Sequence, residues 1–146
     1  MDPVTAFGLA CNVIQVTAWG LQALKTISDI SEQKGEVTAE AIRSFEDAKR
    51  DAALTQGLQT AVSSRHGANL SANDLQLLQV AKECSSCAME LTAWYSSIDI
   101  SASDGKLKRL LGAVKAFARS TRTKELKVKL ETCQSRLNLR LLTSIM

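Results

Sequence analysis

A chain of 146 residues, 45% hydrophobic and 23% charged, has the size and composition of one globular domain able to bury its own core, which excludes a disordered or fibrous chain. One proline and seven glycines leave few breaks in regular structure, so long helices are expected. A formal net charge of +3 is too small to indicate a nucleic-acid or membrane partner by itself, but the charges are unevenly placed.

The first element opens with MDPVTAFGLACNVIQVTAWGLQAL, in which Pro3 to Leu24 carries no charge. Asp2 can cap the helix and Pro3 suits its first turn, where a missing N–H costs nothing; the helix is expected to run to about Ile30. A bilayer core of roughly 30 Å needs about 20 apolar residues, so the stretch is long enough to span one. Thr5, Asn12, Gln15, Thr17 and Gln22 interrupt it, however, and would be costly in lipid without partners. A helix buried in the bundle at rest is therefore favoured, with release on oligomerisation compatible with the same residues.

A second helix is predicted after Thr38, running to about Ser64. Ile42, Phe45, Ala48 and Ala52 lie on one face, and Leu54, Leu58, Ala61 and Val62 follow after a shift of phase. The segment Glu36 to Asp51 holds five acids against three bases. A third helix starts at a capping-box pattern, Ser71 with Asp74, and places Leu77, Val80, Ala81, Cys84, Ala88, Leu91, Tyr95 and Ile98 at spacings of three or four.

After the turn-rich DISASDG, Leu107, Leu110, Leu111, Val114, Phe117 and Ala118 mark a fourth helix with basic outer faces and a break or kink at Ser120 to Thr123. Between Lys106 and Lys129 nine bases oppose the single acid Glu125, a local charge of +8, so the rest of the chain totals −5. Such runs are usually solvated faces, and here an acidic and a basic face would attract one another across a bundle. A last helix carries Leu126, Leu130, Cys133, Leu137 and Leu141 at the alternating spacing of a bundle seam. The fold expected is all-α: one domain, residues 1–146, with four long helices and a shorter or kinked additional helix near the C-terminal side.

No catalytic constellation emerges: the sequence has no Gly-rich phosphate loop and no distinctive carboxylate pair, and its one histidine, His66, sits in the polar stretch SSRHGANLSAND. An enzyme is not expected. Cys84-Ser-Ser-Cys87 falls inside a helical pattern rather than after a strand, so both cysteines are expected as packed positions, with no metal and no cofactor. Without a secretory signal, four cysteines suit a reducing cytosol, and Asn69-Leu70-Ser71 reads as a chance glycosylation acceptor.

Three stretches in chain order carry a family resemblance: MDPVTAFGLACNVIQV, LLQVAKECSSCAMEL and LETCQSRLNLRLL. Together they resemble the HeLo-like N-terminal domain of fungal STAND proteins, the NLR-type receptors of filamentous fungi. The likeness covers essentially the whole chain, with Ala81-Lys82-Glu83-Cys84 and Arg136-Leu137-Asn138-Leu139 its more specific pieces. Lys106 to Thr123 departs from it: the family pattern leads one to expect tryptophans in this segment, and its apolar positions include Leu110 and Phe117 instead.

The resemblance implies a helical bundle that executes or relays regulated cell death in fungal immunity. It would be similar to the HeLo domain of HET-S, the helical bundle of the mixed lineage kinase-like pseudokinase and plant NLR coiled-coil domains. The implied partners are other copies of the chain on activation, anionic plasma-membrane lipid and a downstream or separate STAND/NLR sensor; the implied location is cytoplasmic at rest and plasma membrane on activation. The chain ends about where the family domain ends, so an excised domain or a small stand-alone executor is expected.

Under this reading Val4, Phe7, Leu9, Val13, Ile14, Val16, Trp19 and Leu21 supply the inserting surface. Lys106, Lys108, Arg109, Lys115 and Arg119 attract anionic lipid, each worth about 1 kcal/mol near the surface. The alternative is a homotypic oligomerisation or adaptor bundle that never touches lipid. Nucleic-acid binding is disfavoured, because the basic stretch offers only Phe117 for stacking.

Overall fold

The computed structural model describes residues 3–32, 39–64, 70–98 and 104–145; the side chains of residues 3, 104–108 and 140–145 lie outside that description. The described chain is helical, with no strand: α1 (Pro3–Glu32), α2 (Ala39–Asp51), α3 (Ala53–Ser63), α4 (Ala72–Ser97), α5 (Asp104–Ala118) and α6 (Thr121–Ile145). The expected cap Asp2, together with His66 and Asn69, lies outside the described residues.

The uncharged opening is explained by the position of α1, which packs against each of the other five helices. Leu9, Val13, Val16, Trp19, Ala23, Leu24, Ile27 and Ile30 are buried, while Asn12, Gln15, Ala18, Gln22 and Lys25 form an exposed stripe at helical spacing. The polar residues that interrupt the sequence thus have separate accommodations. Asn12, Gln15 and Gln22 face solvent, whereas Thr17 is fully buried with its Oγ1 3.1 Å from Cys84 Sγ.

Cross-helix contacts set the register. Tyr95 donates to the Ala23 carbonyl at 2.8 Å, and the Cys84 thiol points to the Val13 carbonyl at 3.9 Å, so α1 and α4 run parallel. Cys133 reaches the Val80 carbonyl and Arg122 pairs with Glu90, so α6 runs antiparallel to α4. At the α1–α6 crossing a Cβ on Gly20 would stand 2.8 Å from Leu130 Cδ1, which is why the closest approach uses glycine. Arg122 grips both carboxylate oxygens of Glu90 and also bonds Glu125. Those hydrogen bonds hold the Glu90 carboxyl below its ordinary range.

Five of the chain's six aromatic residues form one cluster joining α1, α2, α4 and α5. Phe45 and Tyr95 have ring centroids 4.6 Å apart, Trp94 meets Tyr95 edge-on at 5.3 Å, and Phe117 stacks on Trp94 at 4.4 Å. Trp19 adds its ring and donates Nε1–H to the Ala48 carbonyl at 2.8 Å.

The Ser71–Asp74 capping box forms as predicted, with each backbone N–H bonded to the other's side chain. The second helix differs from expectation. A bend at Ala52, closed by a Thr55 N–H to Ala52 carbonyl bond of 3.0 Å, divides it into α2 and α3. The buried stripe is Ala41, Phe45, Ala48, Ala52, Thr55 and Leu58, while Ile42 is half-buried and Leu54 exposed. The tight bend absorbs the phase shift, and Thr55 tolerates burial because Thr92 donates a hydroxyl bond to it at 3.3 Å. Among the described residues no ion pair joins α2 to α5.

Cys84, Cys87 and Cys133 are buried helical positions, as expected for small hydrophobes. Burial pushes the Cys84 thiol up to about 11 and the Cys133 thiol up to about 12, and it raises Cys87 and the Tyr95 phenol as well. An unfolded thiol titrates near about 8.5, so above that pH the unfolded chain sheds protons that the native chain keeps. Stability is therefore expected to be full below about pH 8.5 and to fall as pH rises toward 11. Thermal melts from pH 7 to 10.5 check this, with Cys84→Ala and Cys133→Ala together expected to flatten the decline.

Candidate functional site

The first two turns of α1 leave the core that encloses the rest of the helix. Val4 is 82% exposed and Phe7 63%, whereas Leu9 and Ala10, the next turn, are already buried. Phe7 is the sixth aromatic residue, absent from the cluster that holds the other five. Parallel α4 and antiparallel α6 bring the start of α4 and the end of α6 to the same end of the bundle as the start of α1. Each contributes an exposed leucine there, Leu75 at 55% and Leu139 at 67%.

The predicted inserting residues consequently divide. Val4 and Phe7 are exposed, Ile14 and Leu21 are half-buried, and Leu9, Val13, Val16 and Trp19 belong to the core of the resting bundle. Neither Leu75 nor Leu139 was expected as an exposed site residue, although Leu139 lies in the Arg136-Leu137-Asn138-Leu139 piece of the resemblance. Their one signal is phase: Leu75 falls outside the stripe of Leu77, Val80, Ala81 and Cys84, and Leu139 outside that of Leu126, Leu130, Cys133 and Leu137.

The basic residues belong to α5 and the turn that follows it. Arg109 and Arg119 are exposed and Lys115 is half-buried, projecting around the buried Leu110 and Val114 of α5, while the side chains of Lys106 and Lys108 lie outside those described. The end of α5 sits against the C-terminal half of α1, since Ala118 shares a groove with Leu24 and Phe117 stacks on Trp94. Leu24 is twenty residues, about 30 Å of helix, from Val4. The structure therefore does not bring Arg119 together with Val4 and Phe7. Phe117, the single aromatic residue of the basic stretch, is engaged with Trp94.

Val4–Glu32 is long and apolar enough to cross a membrane by length and composition, a property that core helices of soluble proteins share. No family model matches the chain, and no curated protein or solved structure matches it either.

Proposed function

We propose that this chain is a HeLo-like, membrane-targeting cell-death execution or signalling domain of a fungal NLR-like immune system, acting by oligomerisation and insertion of α1. The observation that carries the reading is the apolar end: Val4 and Phe7 are exposed in the first turns of α1, ahead of its largely polar solvent stripe, and Leu75 and Leu139 are exposed at the same end of the bundle. A soluble bundle gains nothing from an exposed Phe and Val at a helix start, whereas an end that meets a bilayer gains by burying them. On this reading α2 and α3 count as one bent long helix, making four long helices with α5 as the short addition.

One observation favours the adaptor reading. Releasing the whole of α1 would expose Leu9, Val13, Val16, Trp19, Leu24, Ile27 and Ile30. At about 1.5–3 kcal/mol for each large side chain, the loss matches or exceeds the whole stability of a typical domain. Insertion therefore starts at the exposed first turns, and the deeper residues leave the core only where neighbouring copies or lipid replace their contacts.

Expression in yeast with simultaneous scoring of viability and plasma-membrane localisation tests the assignment. Death with localisation supports execution, and healthy cells with diffuse protein support the adaptor. The basic region has its own test: reversal of Lys108, Arg109, Lys115 and Arg119 to Glu is expected to abolish flotation with anionic liposomes, to leave the helical circular dichroism largely intact, and to remove a salt-sensitive attraction present in the wild type. Unchanged flotation would make α5 a solvated face only.

A further inference from the structure

Between the C-terminal half of α1 and the elbow where α5 meets α6 lies an open groove of about 560 Å³, within the range of small-ligand sites. Its apolar lining is the half-buried Leu21 and Ala118, over Leu24 and Ile27 of the core. Leu21, Leu24 and Ser28 follow one another at helical spacing, so the α1 wall of the groove is about 10 Å long. The rim is basic: Lys25 on one side, Lys124 and Lys127 on the other. Lys127 stands 4.0 Å from Glu131, but among the described residues Lys25 and Lys124 have no ion-pair partner. Three lysines and one carboxylate, Glu131, line the groove, so its rim keeps a net positive charge that Lys25 and Lys124 supply from opposite walls.

We propose that this groove binds an amphiphile with a single acyl chain and an anionic headgroup, the chain lying along Leu21, Ala118 and the lysine stems and the headgroup held by Lys25 and Lys124. A groove of about 560 Å³ suits a small single-chain ligand, and the lysines select an acidic headgroup over a neutral one. Long lysine stems can lie along the apolar walls while their ammonium groups meet the headgroup at the surface. The inference rests on the groove and its charges, independently of whether α1 enters membranes.

Calorimetric titration with oleate below its micelle concentration is the test, and one saturable site per chain is expected. Ser28→Trp fills the groove from an exposed position, and Lys25→Glu with Lys124→Glu reverses the unpaired charge. Each is expected to weaken oleate binding at least about tenfold with an unchanged circular-dichroism spectrum. Oleyl alcohol, with the same chain and no charge, is expected to bind more weakly than oleate. Absence of a saturable site, equal affinity for the alcohol, or full affinity in folded Ser28→Trp protein would overturn the proposal. Inorganic phosphate displacing oleate would reassign the lysines to a free anion and overturn it equally.

Discussion

Val4→Glu is expected to leave a folded, soluble bundle that no longer permeabilises vesicles or kills cells. Val4 is 82% exposed in the first turn of α1, where its side chain contributes little to the core and where helix ends fray readily. Circular dichroism and melting temperature should therefore stay close to wild type. Membrane entry makes a different demand, because a leading carboxylate carried into hydrocarbon costs on the order of 2.5–3.5 kcal/mol per chain. That is roughly a hundredfold or more in partitioning for each subunit, and an oligomer repeats it in every copy. Phe7→Glu, at the next exposed turn, should behave alike, while Asn12→Glu on the solvent stripe measures the deeper part of the helix. A folded Val4→Glu protein that kills at the wild-type rate would remove the tip of α1 from the mechanism and put the adaptor reading ahead.

The second large effect is expected from a lock between α1 and α4. Thr17 Oγ1 and Cys84 Sγ lie 3.1 Å apart in the core, so Thr17→Cys brings two sulfurs close enough to be joined by mild oxidation. The cross-link ties α1 to α4 across 67 residues of sequence and opposes any release of the helix. Oxidised Thr17→Cys protein should melt higher than its reduced form and lose vesicle leakage, with dithiothreitol restoring both properties toward wild type. The same variant carrying Cys84→Ala provides the control, since it lacks the second sulfur and should not respond to oxidation. Full leakage from the locked protein would show that α1 acts without leaving α4, confining membrane contact to Val4, Phe7 and the leucines beside them.

These two experiments address different parts of one helix, and the distinction comes from packing. Residues from Leu9 onward are held by five neighbouring helices, while Val4 and Phe7 are free to meet another surface without disturbing that core. The groove beside Lys25 lies at the other half of α1, so loss of oleate binding in Ser28→Trp and loss of leakage in Val4→Glu can be scored separately.

The sequence by itself determined the features set within a few residues. Apolar spacing of three and four produces α4 and α6, the Ser71–Asp74 pair starts α4, and a cysteine pair in mid-helix becomes buried packing. Helical phase and caps are local, so their consequences are readable along the chain. The uncharged run at the start was legible as a helix, but whether it is core, span or both depends on what surrounds it. Only the tertiary structure showed that the polar interruptions divide between a solvent stripe and the buried Thr17, and that five helices enclose the rest. It also decided the bend at Ala52, the exposed leucines that join Val4 and Phe7 at one end, and the meeting of Lys25 with Lys124 and Lys127 around a groove. Those arrangements depend on the register between helices some 70 to 100 residues apart in sequence, and register is set by how whole faces interlock rather than by any residue's neighbours along the chain.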